Sequence, residues 1–124
     1  MSTINITPAK GTRNLDAGVY SIVYTAPLSC ISATVNARLI SHDLTQNIKT
    51  RIAIVPNSFT EGTISPTNDL WSSPVDMVIG PNGITSGIIE DTAIVLSPGE
   101  SIVMYTDLGN ANARVHGLIR TVGV

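Results

Sequence analysis

The sequence predicts an all-β domain, an antiparallel β-sandwich or jelly roll of about seven or eight strands. Three observations carry this expectation. Short segments of alternating apolar and polar residues recur along most of the chain, separated by Pro, Gly, Asn and Asp. Ile and Val dominate those segments, and β-branched side chains fit a pleated surface. No stretch keeps a helical period for longer than a turn.

Residues 1–16 are polar and rich in turn formers (Pro8, Gly11, Asn14, Asp16), and read as an N-terminal arm ahead of a single domain at 17–124. AGVYSIVYTAP follows as a strand that Pro27 ends. SCISATVNARLIS has the cleanest period of two: Ile31, Ala33, Val35, Ala37 and Leu39 share one face, and Ser32, Thr34, Asn36 and Arg38 the other. HDLTQ turns the chain into NIKTRIAIVP, with Ile48, Ile52 and Ile54 on one face, Lys49 and Arg51 on the other, and Pro56 as the stop. NSFTEGTISPTND is a long polar loop. LWSSPVDMVIG is a strand with an irregular start, where Pro74 removes a ladder donor and belongs at an edge or bulge. Residues 81–83, PNG, form a turn. ITSGIIEDTAIVL, ESIVMYT and ANARVHGLIRTV are the last three strands, joined at SPG and DLGN, and the DLGN turn reads as the tip of a closing hairpin.

The chain has 124 residues, enough for one domain with a core of its own. Only 13% of residues are charged, well below the roughly 25% usual in globular domains; a surface that repels its neighbours so little suits either a protein covered by other subunits or a compact sandwich with a Ser/Thr/Asn surface. The net charge is −2, and the seven basic residues (Lys10, Arg13, Arg38, Lys49, Arg51, Arg114, Arg120) are scattered along the chain. That pattern gives no nucleic-acid footprint. The aromatic share of 4% is poor in stacking platforms for bases or sugars. Cys30 is the single cysteine, so no intrachain disulfide forms, and a buried core position is expected for it. The opening MSTINITPAKGTRN has no apolar signal-peptide region, and nowhere do 18 apolar residues run together, so synthesis in a cytoplasm and no membrane association are expected.

Reactive constellations are not found. His42 and Asp43 are adjacent in a turn, and His116 lies on the last strand beside no Cys or third ligand, so neither a catalytic dyad nor a metal site is expected. Glu90 and Asp91 are sequence neighbours on a strand and point to opposite faces unless a bulge intervenes. The sequence has no GxSxG, P-loop, GxGxxG or calcium-loop pattern. A non-enzymatic protein without cofactors is the expectation. Trp71, if exposed, is the leading interface anchor.

The string LSPGESIVMYTDLGNANARVHGLIR resembles the C-terminal hairpin of small all-β structural proteins of tailed bacteriophage virions. That family carries an apolar strand, a Pro/Gly/Glu turn, a second strand, a turn and an alternating strand closing on an aliphatic V-x-G end, here Val115 to Gly117 followed by Leu118 and Ile119. ISATVNARLISHDLTQNIKTRIAIVP and GIIEDTAIVLSPGE are similar to the family's earlier strands. His116 stands where an aromatic is often found. The resemblance covers about residues 17–120. It implies a virion component assembled in the host cytoplasm, a homo-oligomer and often a trimer. Such a protein either decorates and cements the capsid by binding the major capsid protein, or belongs to a tail fibre or baseplate and binds tail proteins or a host receptor. Partner-binding residues expected on this reading are Thr7, Pro8, Lys10 and Arg13 in the arm, Phe59, Glu61 and Trp71 in and after the long loop, and Arg114, His116 and Arg120 on the last strand.

Overall fold

The alternating segments become eight strands in the computed structural model, which describes residues 3–67, 70, 77–80 and 88–123. They are β1 (Ile4–Leu15), β2 (Ser21–Thr25), β3 (Cys30–Ser41), β4 (Ile48–Val55), β5 (Met77–Ile79), β6 (Ile88–Leu96), β7 (Ser101–Thr106) and β8 (Ala111–Val122). Two four-stranded antiparallel sheets result, a first in the order β1-β8-β3-β6 and a second in the order β2-β7-β4-β5. The pairings are nested: β1 with β8, β2 with β7, β3 with β6 and β4 with β5. A chain that pairs its first half against its second in this way, then rolls up so that successive strands other than β4 and β5 alternate between sheets, is a jelly roll.

The inner faces of both sheets form one core. Val35 and Leu39 from β3, Leu96 from β6 and Val115 from β8 meet Ile48 and Ile52 from β4 and Ile102 and Met104 from β7, all essentially removed from water. Each such Val, Leu or Ile contributes about 1.5–3 kcal/mol by burial. Cys30 is buried in the same cluster. Two glycines let backbones approach where a side chain would collide. A Cβ on Gly117 would sit 2.1 Å from the Thr34 carbonyl oxygen of the neighbouring strand, and one on Gly11 would sit 2.4 Å from that of Val23, in the opposite sheet.

Four features depart from the sequence expectation. Residues 4–15 are not a free arm but a twelve-residue edge strand paired along its whole length with β8. Its polar composition reflects an edge with one face in solvent, a place where Pro8 is tolerated. The DLGN turn is not a hairpin tip: β7 pairs with β2 and β4 while β8 pairs with β1 and β3, so the turn carries the chain from one sheet to the other, with Asn110 at φ 60°. Ile31 is exposed, because an extra residue between Cys30 and Ser32 shifts β3 against β8 and turns Cys30 inward in its place. A second bulge, in β6, lies between Asp91 and Ile94; Ala93 there has φ 56°, and its N–H donates to the Asn36 side-chain oxygen at 2.9 Å. Pro74 and the turn at 81–83 lie outside the described residues.

Candidate functional site

The long loop after β4 covers the outer face of the second sheet. Tyr20, Ala53, Val55 and Val103 are buried there, with Ile22, Phe59, Leu70 and Tyr105 packed against them. The Tyr20 and Tyr105 rings stack at 4.4 Å between centroids, and the Arg51 guanidinium lies 5.0 Å from the Tyr105 ring centre while donating to the Tyr20 hydroxyl. The loop is pinned at Gly62, whose carbonyl accepts from the Tyr20 N–H at 2.7 Å. Glu61 fixes the same place a second way. It accepts from the Ile22 N–H at 2.8 Å and pairs with both terminal nitrogens of Arg13, one of which also donates to the Ile22 carbonyl at 3.0 Å. The Arg13 guanidinium, helped by the Ile22 N–H, holds the Glu61 carboxyl below the usual carboxylate range.

The outer face of the first sheet carries no such cover among the described residues. Its register places side chains in rows across β1, β8 and β3. Pro8 faces Leu118, which faces Thr34; Lys10 faces His116, which faces Asn36; Thr12 faces Arg114, which faces Arg38. Arg120 lies between Ile6 and Ser32. One end of the face is apolar, with Ile4, Ile6, Leu118, Val122 and, from β6, Val95 all exposed. Arg120 interrupts that end, between Leu118 and Val122, and Lys10, Arg114 and Arg38 lie toward the other. Arg38 is bound by Glu90, its Nε donating at 2.5 Å, whereas Lys10, Arg114 and Arg120 have no ion pair among the described residues. Asn36 Nδ2 lies 3.5 Å from His116 Nε2. A cleft of about 340 Å³ opens between the side chains of Lys10, Thr12, Arg114 and His116.

The fold is also known elsewhere. The chain is similar to a chain in the "acidic stable capsid structure of Helicobacter pylori bacteriophage KHP30", with a TM-score of 0.50 and 12% identity over 98% of this chain and 96% of that one. At that identity the likeness is one of fold, and its coverage leaves neither chain a sizeable part that the other lacks. No protein-family model matches the sequence, and no curated protein does.

Set against this geometry, the residues singled out from sequence fall into separate places. Pro8, Lys10, Arg114, His116 and Arg120 come together on the open face. Thr7 is exposed on β1 but alternates away from it, opposite Ile119. Arg13 and Glu61 form a tie between β1 and the loop, and Phe59 packs on the second sheet. Trp71 lies outside the described residues. Sequence reasoning missed Arg38, Glu90 and the exposed apolar residues of β1. The period of two already put Arg38 on the polar side of β3, but only the register brings it opposite Arg114. Basic residues scattered along the sequence are thereby gathered, four of the seven (Lys10, Arg38, Arg114, Arg120) on one face. No group of three or more His, Cys, Asp or Glu residues that could hold a metal ion occurs among the described residues.

Proposed function

We propose that this chain is a non-enzymatic structural protein of a tailed-phage virion, which decorates and cements the capsid shell by binding the major capsid protein. The observation that carries the reading is the end-to-end similarity of fold to a chain of a phage capsid structure. Jelly rolls also serve in lectins and other proteins, so the architecture alone does not name the role. Two further features support it. One sheet is closed by its own chain while the other leaves a broad mixed apolar and cationic face open, as a protein that works by contact requires. And a small protein that ties shell subunits together needs no reactive centre, only surface buried across a seam.

Immunogold labelling of intact virions tests the reading, with label expected over the head. Label confined to the tail would replace it with the tail-fibre or baseplate role. Self-association, as a trimer, belongs to the same proposal. Light scattering on the isolated protein is expected to return a trimer mass, and a monomer that fails to co-sediment with shells would overturn the shell-binding role.

A further inference from the structure

The open face of the first sheet holds an electrostatic arrangement that its own chain leaves incomplete. Arg114 stands directly opposite Arg38 on the adjacent strand, and like charges so placed repel each other. Glu90 neutralises Arg38. Nothing among the described residues does the same for Arg114, or for Lys10 one row away, and the cleft of about 340 Å³ is lined by these two residues with Thr12, Val115 and His116. The cleft is therefore lined by a guanidinium, an ammonium, a hydroxyl and the His116 imidazole, and no carboxylate lines it.

We propose that this cleft receives a carboxylate side chain from the surface of a partner protein on which the first sheet docks. Arg114 supplies a two-pronged donor for it, Lys10 a point charge and Thr12 a hydroxyl. The neighbouring rows say what kind of partner this is. Beside the cleft run Pro8 and Leu118, then Ile6 opposite Arg120, then Ile4 opposite Val122, so the complementary surface carries apolar groups together with Asp or Glu. Exposed apolar side chains set among cations suit a protein partner, whose interfaces combine apolar contact with polar groups. A nucleic acid backbone asks instead for an extended run of cations, and on this face Ile4, Ile6, Leu118 and Val122 are exposed among them. A second copy meeting face to face does not complete the site, because the acid described on this face, Glu90, is already held by Arg38.

The virion reading supplies only the identity of the partner, so two experiments separate the inference from it. In the first, amide resonances of the isolated protein are followed while an oligo-glutamate peptide is added, with a single-stranded oligonucleotide in a parallel titration. Saturable shifts confined to residues 10–12 and 114–116 are expected, with affinity about tenfold weaker in Arg114→Gln and in Lys10→Gln; both side chains are exposed, so the variants fold. Absence of shifts, shifts that persist unchanged in Arg114→Gln, or tighter binding of the oligonucleotide would each overturn the site. In the second, capsid shells are sedimented with wild-type protein and with Arg114→Glu. Loss of the variant alone supports the inference, and equal binding of both overturns it. Failure of the wild type to sediment sinks the shell-binding role and leaves the peptide titration to decide the site.

Discussion

The two outer faces of this jelly roll end in opposite states. Over the second sheet, the loop after β4 lays Phe59 and Leu70 on Tyr20, Val55 and Val103, and a small second core forms outside the main one. Over the first sheet, Ile6, Leu118 and Val122 remain in solvent beside unpaired cations. Leaving apolar groups uncovered forgoes the stabilisation that the other sheet gains from its loop. The difference teaches where to look for function: the covered face is spent on holding the fold, and the open face is free to be matched by something else.

Substitutions at matched positions break this comparison most directly. Tyr20 is 4% exposed and Leu118 52%. Tyr20→Ala removes the stack on Tyr105, the acceptor of the Arg51 hydrogen bond and the anchor of the loop, and is expected to destabilise by about 3–5 kcal/mol. Leu118→Ala is expected to stay within about 0.5 kcal/mol. Urea unfolding midpoints measure both, and similar shifts for the two would mean that the faces are not energetically distinct. Openness outside does not mean slack inside, however. Gly117 lies one residue before Leu118, and a methyl group there would press on the Thr34 and Val35 backbone. Gly117→Ala is expected to lose about 1–3 kcal/mol through forced separation of β8 and β3, a value the same unfolding experiment returns.

How far this was legible in the sequence depends on which residues are asked. SIVMYT in β7 is a nearly unbroken apolar run, buried at five of its six positions, while ANARVHGLIR in β8 alternates strictly and is exposed on one side. The contrast between a strand covered on both faces and one covered on a single face was therefore written in the chain. Reading the two as a hairpin failed because periodicity reports burial and not neighbours; a turn between strands does not say whether they lie side by side or across a core. The candidate surface was legible in part for the same reason. Alternation put Arg114, His116 and Arg120 on one side of β8, but Lys10 and Pro8 joined them only once residues 4–15 proved to be a strand, and Arg38 only through register. The bulges at Cys30 and Ala93 each move one residue out of phase, which no two-residue period can anticipate.

A smaller effect tests how the cover of the second sheet is tied down. Glu61 links the loop to β1 through Arg13 and to β2 through the Ile22 N–H. Its carboxyl titrates below the ordinary 4.5 in the folded protein, so its contribution is fully present above that value. It fades as pH falls through the depressed folded value, because the folded state then loses the ionised partner that the unfolded chain does not need. The ion-paired side chains are more than a third exposed, which limits the effect to about 1 kcal/mol or less. Glu61→Gln is expected to lower the urea midpoint at neutral pH and to converge with wild type in acid. A gap that stayed constant across the acid range would show that the charge is not what holds the loop.

The finest test lies at β2, with Tyr20 just before it and Tyr24 within it. Tyr20 and Tyr24 are an even number of residues apart and would share a face on a regular strand. An extra residue between Ile22 and Tyr24 shifts β2 against β7, so Tyr20 packs outside on the loop-covered cluster while Tyr24 packs against the main core. Their hydroxyls fare differently. That of Tyr20 accepts from Arg51. That of Tyr24 is buried with no hydrogen-bond partner among the described residues, and burial, with the nearby Cys30, pushes its pKa up. Removing a hydroxyl therefore has opposite consequences at the two sites. Tyr20→Phe removes the acceptor of an Arg51 hydrogen bond and is expected to lose about 1 kcal/mol, whereas Tyr24→Phe removes an unsatisfied group and is expected to be neutral or to gain a few tenths (about 0–0.5 kcal/mol). A loss at Tyr24 as large as that at Tyr20 would mean that its hydroxyl has a partner after all, and that the bulge does not divide the two rings between a satisfied hydroxyl outside and an unsatisfied one inside.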